Sequence, residues 1–147
     1  MKLTPGKLLV ILSAAVIAVP VFGQIYRYYT PGTVWNVTMI RMESGKDQAY
    51  LAYLDGEFKR ESDAEVKAKY MKSYKILRTI GDDYGSWNVL VMREYTSLAA
   101  MEADEEKTDV LSRQVSGDDT KQMQGYDNRA KIRENLGDRM MRELVLK

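Results

Sequence analysis

Asn36, Thr38, Asn88, Arg93 and Glu94 are the residues of this chain best suited to recognition or chemistry, because each breaks a stretch that is otherwise apolar. An amide or a guanidinium set among apolar neighbours orients a ligand carbonyl or carboxylate. Arg41 and Arg142 stand behind them as further cations. Trp35 and Trp87 add flat rings on which an aromatic molecule can stack. The candidate ligand-binding residues are therefore Trp35, Asn36, Thr38, Trp87, Asn88 and Arg93. A structural reading competes with this one. Tryptophans near strand starts cap cores or dimer contacts, and Arg93 and Glu94 can each pair with a neighbour. These two are adjacent, so on a strand they face opposite sides and form no acid–base pair with each other. No carboxylate pair has a spacing that forces general acid–base work, and no catalytic residue is assigned.

What the chain lacks narrows the chemistry further. It contains no Cys and no His. That removes the Ser-His-Asp triad, cysteine nucleophiles, His-ligated haem and the usual zinc and copper sites. A Gly-rich phosphate loop is also absent, so the expectation is no metal, no haem, no flavin and no other cofactor. Asp82 and Asp83 are adjacent carboxylates without further ligand spacing, which is a poor calcium signal. The formal net charge is +1, from 22 Lys and Arg against 21 Asp and Glu. A balance this close to neutral gives no electrostatic case for nucleic acid.

The scaffold that must position these residues is one domain of ordinary globular composition. Its 147 residues are 45% hydrophobic and 29% charged. Residues 1–23 read as a secretory signal: Lys2 and Lys7 precede an apolar run, Leu8–Phe22, of about fifteen residues. That run falls short of the roughly 20 residues that span a bilayer. Val21-Phe22-Gly23 resembles a cleavage site, so the mature chain is expected to start at Gln24 in the periplasm or medium. Without the leader it carries one more acid than base. The alternative is an uncleaved leader serving as a membrane anchor. No Cys follows the run, which excludes a bacterial lipoprotein. With no disulfides, an exported chain relies on its core.

Residues 24–34, with Tyr26, Tyr28, Tyr29, Pro31 and Gly32, read as an arm, and residues 35–147 as the folded domain. Val34–Met42 is the first expected strand. Lys46 to about Met71 is a long helix, with Leu51, Leu54, Phe58, Val66 and Tyr70 on one stripe and Ser62 filling it. Tyr50 and Tyr53 sit at the margin of that stripe. Ser73–Ile80 is the second strand, and Trp87–Tyr95 is the third. Ser97 caps a short helix, and Asp104 starts the next, which Gly117 ends. Asp118 or Asp119 opens a further helix to about Leu136, ended by Gly137. Asp138–Leu146 is the last strand.

This order is βαββαβ, the pattern of a ferredoxin-like α+β fold with a four-stranded antiparallel sheet. The matching starts Trp35-Asn36-Val37 and Trp87-Asn88-Val89 suit its internal symmetry. The third strand is apolar on both faces, so it belongs in the centre of a sheet. Helices cover one face only. A contiguous apolar face is rarely left to water, which argues for a homodimer through the sheets.

The order of elements, the Trp87–Tyr95 strand followed by Ser97-Leu98-Ala99-Ala100-Met101, and the closing Arg142-Glu143-Leu144-Val145-Leu146 resemble the dimeric α/β-barrel superfamily. That superfamily includes antibiotic-biosynthesis monooxygenases and stress-responsive barrel proteins, and the nearest resemblance is to its small exported bacterial members of unassigned function. It implies a dimeric barrel over about residues 35–147. Members with chemistry often place a His after the third strand or use one to hold haem, and this chain departs from that pattern. The expected function is thus an exported homodimeric binding or interaction module with a possible small apolar or aromatic ligand. The alternative is a cofactor-independent oxygenase or isomerase acting on an aromatic or polyketide-like substrate.

Overall fold

A computed structural model describes residues 28–81 and 86–147. The expected signal sequence, the start of the arm and the Asp82-Asp83 pair lie outside the described residues. Four strands form one sheet: β1 (Tyr29–Met42), β2 (Ser73–Arg78), β3 (Val89–Tyr95) and β4 (Arg133–Leu146). Their order is β2-β3-β1-β4, and every neighbouring pair is antiparallel. Helical segments α1 (Asp47–Tyr53) and α2 (Lys59–Ala68) link β1 to β2, while α3 (Leu98–Ala103), α4 (Glu105–Ser116) and α5 (Asp119–Ala130) link β3 to β4. This is the ferredoxin-like α+β arrangement, with the first and third strands paired at the centre.

Antiparallel partners directly opposite one another point to the same side of a sheet, and that decides which residues meet the helices. Ile40 lies opposite Val89, and Thr38 lies opposite Val91. Ile40, Val89 and Val91 join Met42, Tyr50, Leu54 and Phe58 in one buried cluster. The odd-numbered residues of β3 therefore face the helices. Leu90 and Met92 face away, together with their partners Met39 and Val37 on β1.

The helix between β1 and β2 is continuous from residue 47 to 68 but contains one wide π turn, Leu54–Phe58. Four of its buried positions, Tyr50, Leu54, Phe58 and Ser62, are each four residues apart, and Glu65 follows one turn on. An ordinary helix of about 3.6 residues per turn would rotate such a series steadily away from the sheet. The wider turn absorbs that drift and keeps all four pointing inward. Tyr50 thus sits at the centre of the core, 2% exposed, rather than at its margin.

The caps follow the expected logic where a side chain can reach. Ser97 Oγ accepts a hydrogen bond from the Ala100 amide at 3.1 Å, and Asp118 Oδ1 accepts one from the Lys121 amide at 3.0 Å. Asp104 precedes α4 as expected but makes no such bond; its carboxylate takes the Lys107 ammonium at 2.6 Å.

Several boundaries differ from the sequence reading. Strand β1 starts at Tyr29, because Tyr29, Thr30 and Pro31 pair with Leu146, Val145 and Leu144. Part of the expected arm is therefore strand. Helix α5 stops at Ala130, and Gly137 lies inside β4 rather than after a helix. Met39 pairs with Gly137 and Ile40 with Asn135, so Leu136 is an extra residue in β4. Gly137 takes φ of +123° at this bulge, a conformation that favours glycine. The same residue type serves a helix end and a β-bulge for the same reason, so composition alone does not separate them. The Trp-Asn-Val match between β1 and β3 is not structural symmetry. Val37 faces the open side and Val89 the helices, whereas true equivalents would share a face.

Candidate functional site

The two sides of the sheet offer different chemistry, and they divide the six expected site residues between them. Asn36, Thr38 and Arg93 lie on the helix side, with Asn36 directly opposite Arg93. Trp35 lies on the open side, where the Lys75 ammonium stands 5.2 Å from its ring centroid. Asn88 precedes β3 and serves the backbone: its Oδ1 accepts from the Met42 amide at 2.8 Å, and its backbone N–H donates to the Ile40 carbonyl at 2.9 Å. Trp87 is half-buried beside it. The six residues do not form one pocket. Asn36 donates to the Met140 sulfur at 3.5 Å and Thr38 donates to Asp138, so both fasten the edge strand β4.

The open side carries apolar residues on all four strands, with the cations Lys75 of β2 and Arg139 of β4 among them. It presents Val37 and Met39 from β1, Leu90 and Met92 from β3, Leu77 from β2 and Met141 from β4. Leu77 is 49% exposed and Met141 53% exposed. The charges at its ends are paired within the face: Arg41 with Glu134, and Lys72 with Glu94 at 2.8 Å.

Glu94 is the buried acid of this side. It accepts hydrogen bonds from Thr33 Oγ1 and Lys72 Nζ, each at 2.8 Å, and from Ser73 Oγ. Burial alone pushes its carboxyl up, but those three donors outweigh burial and hold it down at about 2. A carboxyl depressed on folding adds stability that is complete above its ordinary value near 4.5 and is lost as pH falls toward 2. Urea titrations should therefore show stability falling across that window, and Glu94→Gln should flatten the fall. At neutral pH the variant should lose about 1.5–3 kcal/mol, the scale of hydrogen bonds to a charged group. An unchanged acid limb in the variant would assign the fall to other carboxyls.

The helix side holds rings and guanidiniums in contact. Tyr50 and Tyr53 stack with centroids 5.7 Å apart, Phe58 lies 6.5 Å from Tyr53, and Tyr74 meets Phe58 edge-on at 5.6 Å. Arg93 stands 5.2 Å from Phe58, Arg129 stands 4.8 Å from Tyr53, and Arg133 stands 5.7 Å from Tyr50. Each contact is a cation–π geometry. The Nε atoms of all three arginines are buried and make no hydrogen bond among the described residues. A shielded donor without an acceptor costs about 1–3 kcal/mol. Arg129 has an acid, Glu57, at 2.9 Å. Arg93 acts on the buried Glu65, whose carboxyl burial pushes up. No ion pair to Arg93 or Arg133 falls within salt-bridge distance among the described residues. Burial raises the Tyr50 hydroxyl to about 12 against the pull of Arg133, so Tyr50 is a neutral donor at physiological pH.

Sequence reading singled out Arg93 but not Arg129 or Arg133. The expected helix to about Leu136 takes in both, and the end of α5 at Ala130 moves Arg133 into β4. A cleft of about 660 Å³ at one end of the sheet is lined by Arg41, Asp47, Arg78 and Asn88, among others. Its cations are already matched, Arg78 to Asp47 and Arg41 to Glu134. Among the described residues no three carboxylates converge on a point that could hold a metal.

No family model matches this sequence, and no curated relative matches it. The likeness is to solved structures. One is a dimeric ferredoxin-like protein from an uncultured marine organism, 13% identical over 80% of this chain and 90% of that one, with a TM-score of 0.50. A second protein of the same description and source is 13% identical over 80% of this chain and 98% of that one, with a TM-score of 0.49. A NIPSNAP family protein with unknown function from Agrobacterium tumefaciens is 10% identical over 79% of this chain and 90% of that one, with a TM-score of 0.47. What this chain shares with the first of them is the fold: a ferredoxin-like α+β sheet with helices on one side.

Proposed function

We propose that this protein is an exported homodimeric interaction module in which two copies meet through the open faces of their sheets. The observation that carries this reading is the uncovered apolar face of Met39, Leu77, Leu90, Met92 and Met141. Fully burying a Leu or Met side chain contributes roughly 1.5–3 kcal/mol, and association costs roughly 4–15 kcal/mol, so a handful of such residues from each copy offsets that cost. The end charges of this face are already paired internally, and a two-fold contact has to leave its two further cations, Lys75 and Arg139, toward solvent or against the partner's acids. The first solved neighbour is itself described as dimeric, which agrees with this reading.

Export rests on the Lys-flanked apolar leader of residues 1–23. Among the described residues no helix is long and apolar enough to cross a membrane. One experiment addresses both parts. Native mass spectrometry of protein from the producing cell should give twice the mass of a chain starting near Gln24. A folded monomer at micromolar concentration refutes the dimer, and a full-length chain held in the membrane fraction refutes cleavage.

A further inference from the structure

We propose that the ring-and-guanidinium layer between α1 and the strands β3 and β4 binds the carboxylate of a small organic acid with an apolar body. This site lies on the opposite side of the sheet from the proposed dimer contact and does not depend on it. Arg93, Arg129 and Arg133 come from three separate elements and stand against Phe58, Tyr53 and Tyr50. The three rings lie in one row along the helix, with neighbouring centroids 5.7 and 6.5 Å apart. The guanidiniums are therefore gathered along one short line rather than scattered.

A guanidinium lying over a ring uses its face for that contact. Its N–H edge stays available for a planar, two-oxygen acceptor. Arginine placed only for packing would be expected to satisfy its buried Nε within the protein, and none of these three does so among the described residues. The acids nearby are unevenly placed among the cations. Glu57 engages Arg129, Glu65 acts on Arg93, Glu61 acts on Tyr53 and Glu65, and Arg133 has no acid within salt-bridge distance among the described residues. Arg133 is thus the cation without an acid partner in an aromatic setting, which fits a monoanion carrying an apolar body better than a multiply charged ion. Tyr50 makes no side-chain hydrogen bond among the described residues, so its hydroxyl can donate to a second ligand oxygen. The π turn that keeps Tyr50 and Phe58 on the same side is what brings the outer members of the ring row to the sheet.

Benzoate is a suitable probe, with benzyl alcohol as its uncharged match and inorganic phosphate as the anion without an apolar body. Calorimetric titration of the purified protein should show saturable benzoate binding at least about tenfold tighter than either control, the least that one charge-assisted contact supplies. Arg133→Gln should weaken benzoate about tenfold or more, and Arg133→Lys should not restore it, because lysine lacks the fork. Glu57→Gln removes no cation and frees Arg129, so it should tighten binding several-fold. It also keeps the idea testable should an arginine variant fail to fold. Folded Leu90→Lys protein should bind benzoate as the wild type does, which separates this site from the dimer contact. Benzyl alcohol binding as tightly as benzoate, phosphate binding where benzoate does not, or no saturation by about 10 mM would each overturn the proposal.

Discussion

Val91→Lys is expected to unfold the protein, whereas Leu90→Lys should leave it folded and monomeric. The two residues are adjacent in β3 and similar in character, so the contrast isolates the face. Val91 is 8% exposed and packs in the cluster with Ile40, Phe58 and Val89. An ammonium there sits among apolar side chains, and burying an unpaired charge costs more than about 4 kcal/mol, a large share of a typical domain's stability. Leu90 points to the open face, opposite Met39 and Leu77. A lysine at that position reaches water in the monomer. In a two-fold contact it brings two like charges into an apolar seam, and the dissociation constant should rise on the order of 100-fold or more. Circular dichroism reports folding and sedimentation reports assembly. A Leu90→Lys protein that stays dimeric would place the association surface elsewhere. A folded Val91→Lys protein would contradict the packing of β3 described above.

Phe58→Ala should cost about 3–5 kcal/mol in urea unfolding, the range for truncating a buried aromatic side chain. Phe58 is 3% exposed and stands at the meeting point of Tyr53, Tyr74 and Arg93. Its removal leaves a cavity beside the helix's π turn and takes away the ring against which the Arg93 guanidinium lies. The loss should exceed that of Leu77→Ala by several-fold in the monomeric Leu90→Lys background, because Leu77 is 49% exposed on the open face. Equal losses would mean that the helix layer is not where the core lies.

The order of strands and helices was legible in the sequence because it depends on local signals. Runs of β-branched and aromatic residues mark β1 and β3, and the helical stripe of Leu54, Phe58 and Ser62 marks the helix between β1 and β2. The Ser97 and Asp118 caps are equally local, since each needs only a backbone amide three residues on. Such signals also made the surplus of apolar faces visible, and with it the argument for a partner sheet. Which face of β3 meets the helices was not legible. Val89, Val91, Leu90 and Met92 make both sides apolar, and a one-residue slip exchanges them. Only the pairing with β1 and the seating of Tyr50, Leu54 and Phe58 decide it. The end of α5 and the bulge at Gly137 were misread for a related reason, because a glycine with positive φ ends a helix or kinks a strand according to what lies beside it. The grouping of Arg93, Arg129 and Arg133 over three rings was beyond the sequence altogether. These residues are brought together by contacts between distant elements, and no spacing along the chain encodes such contacts.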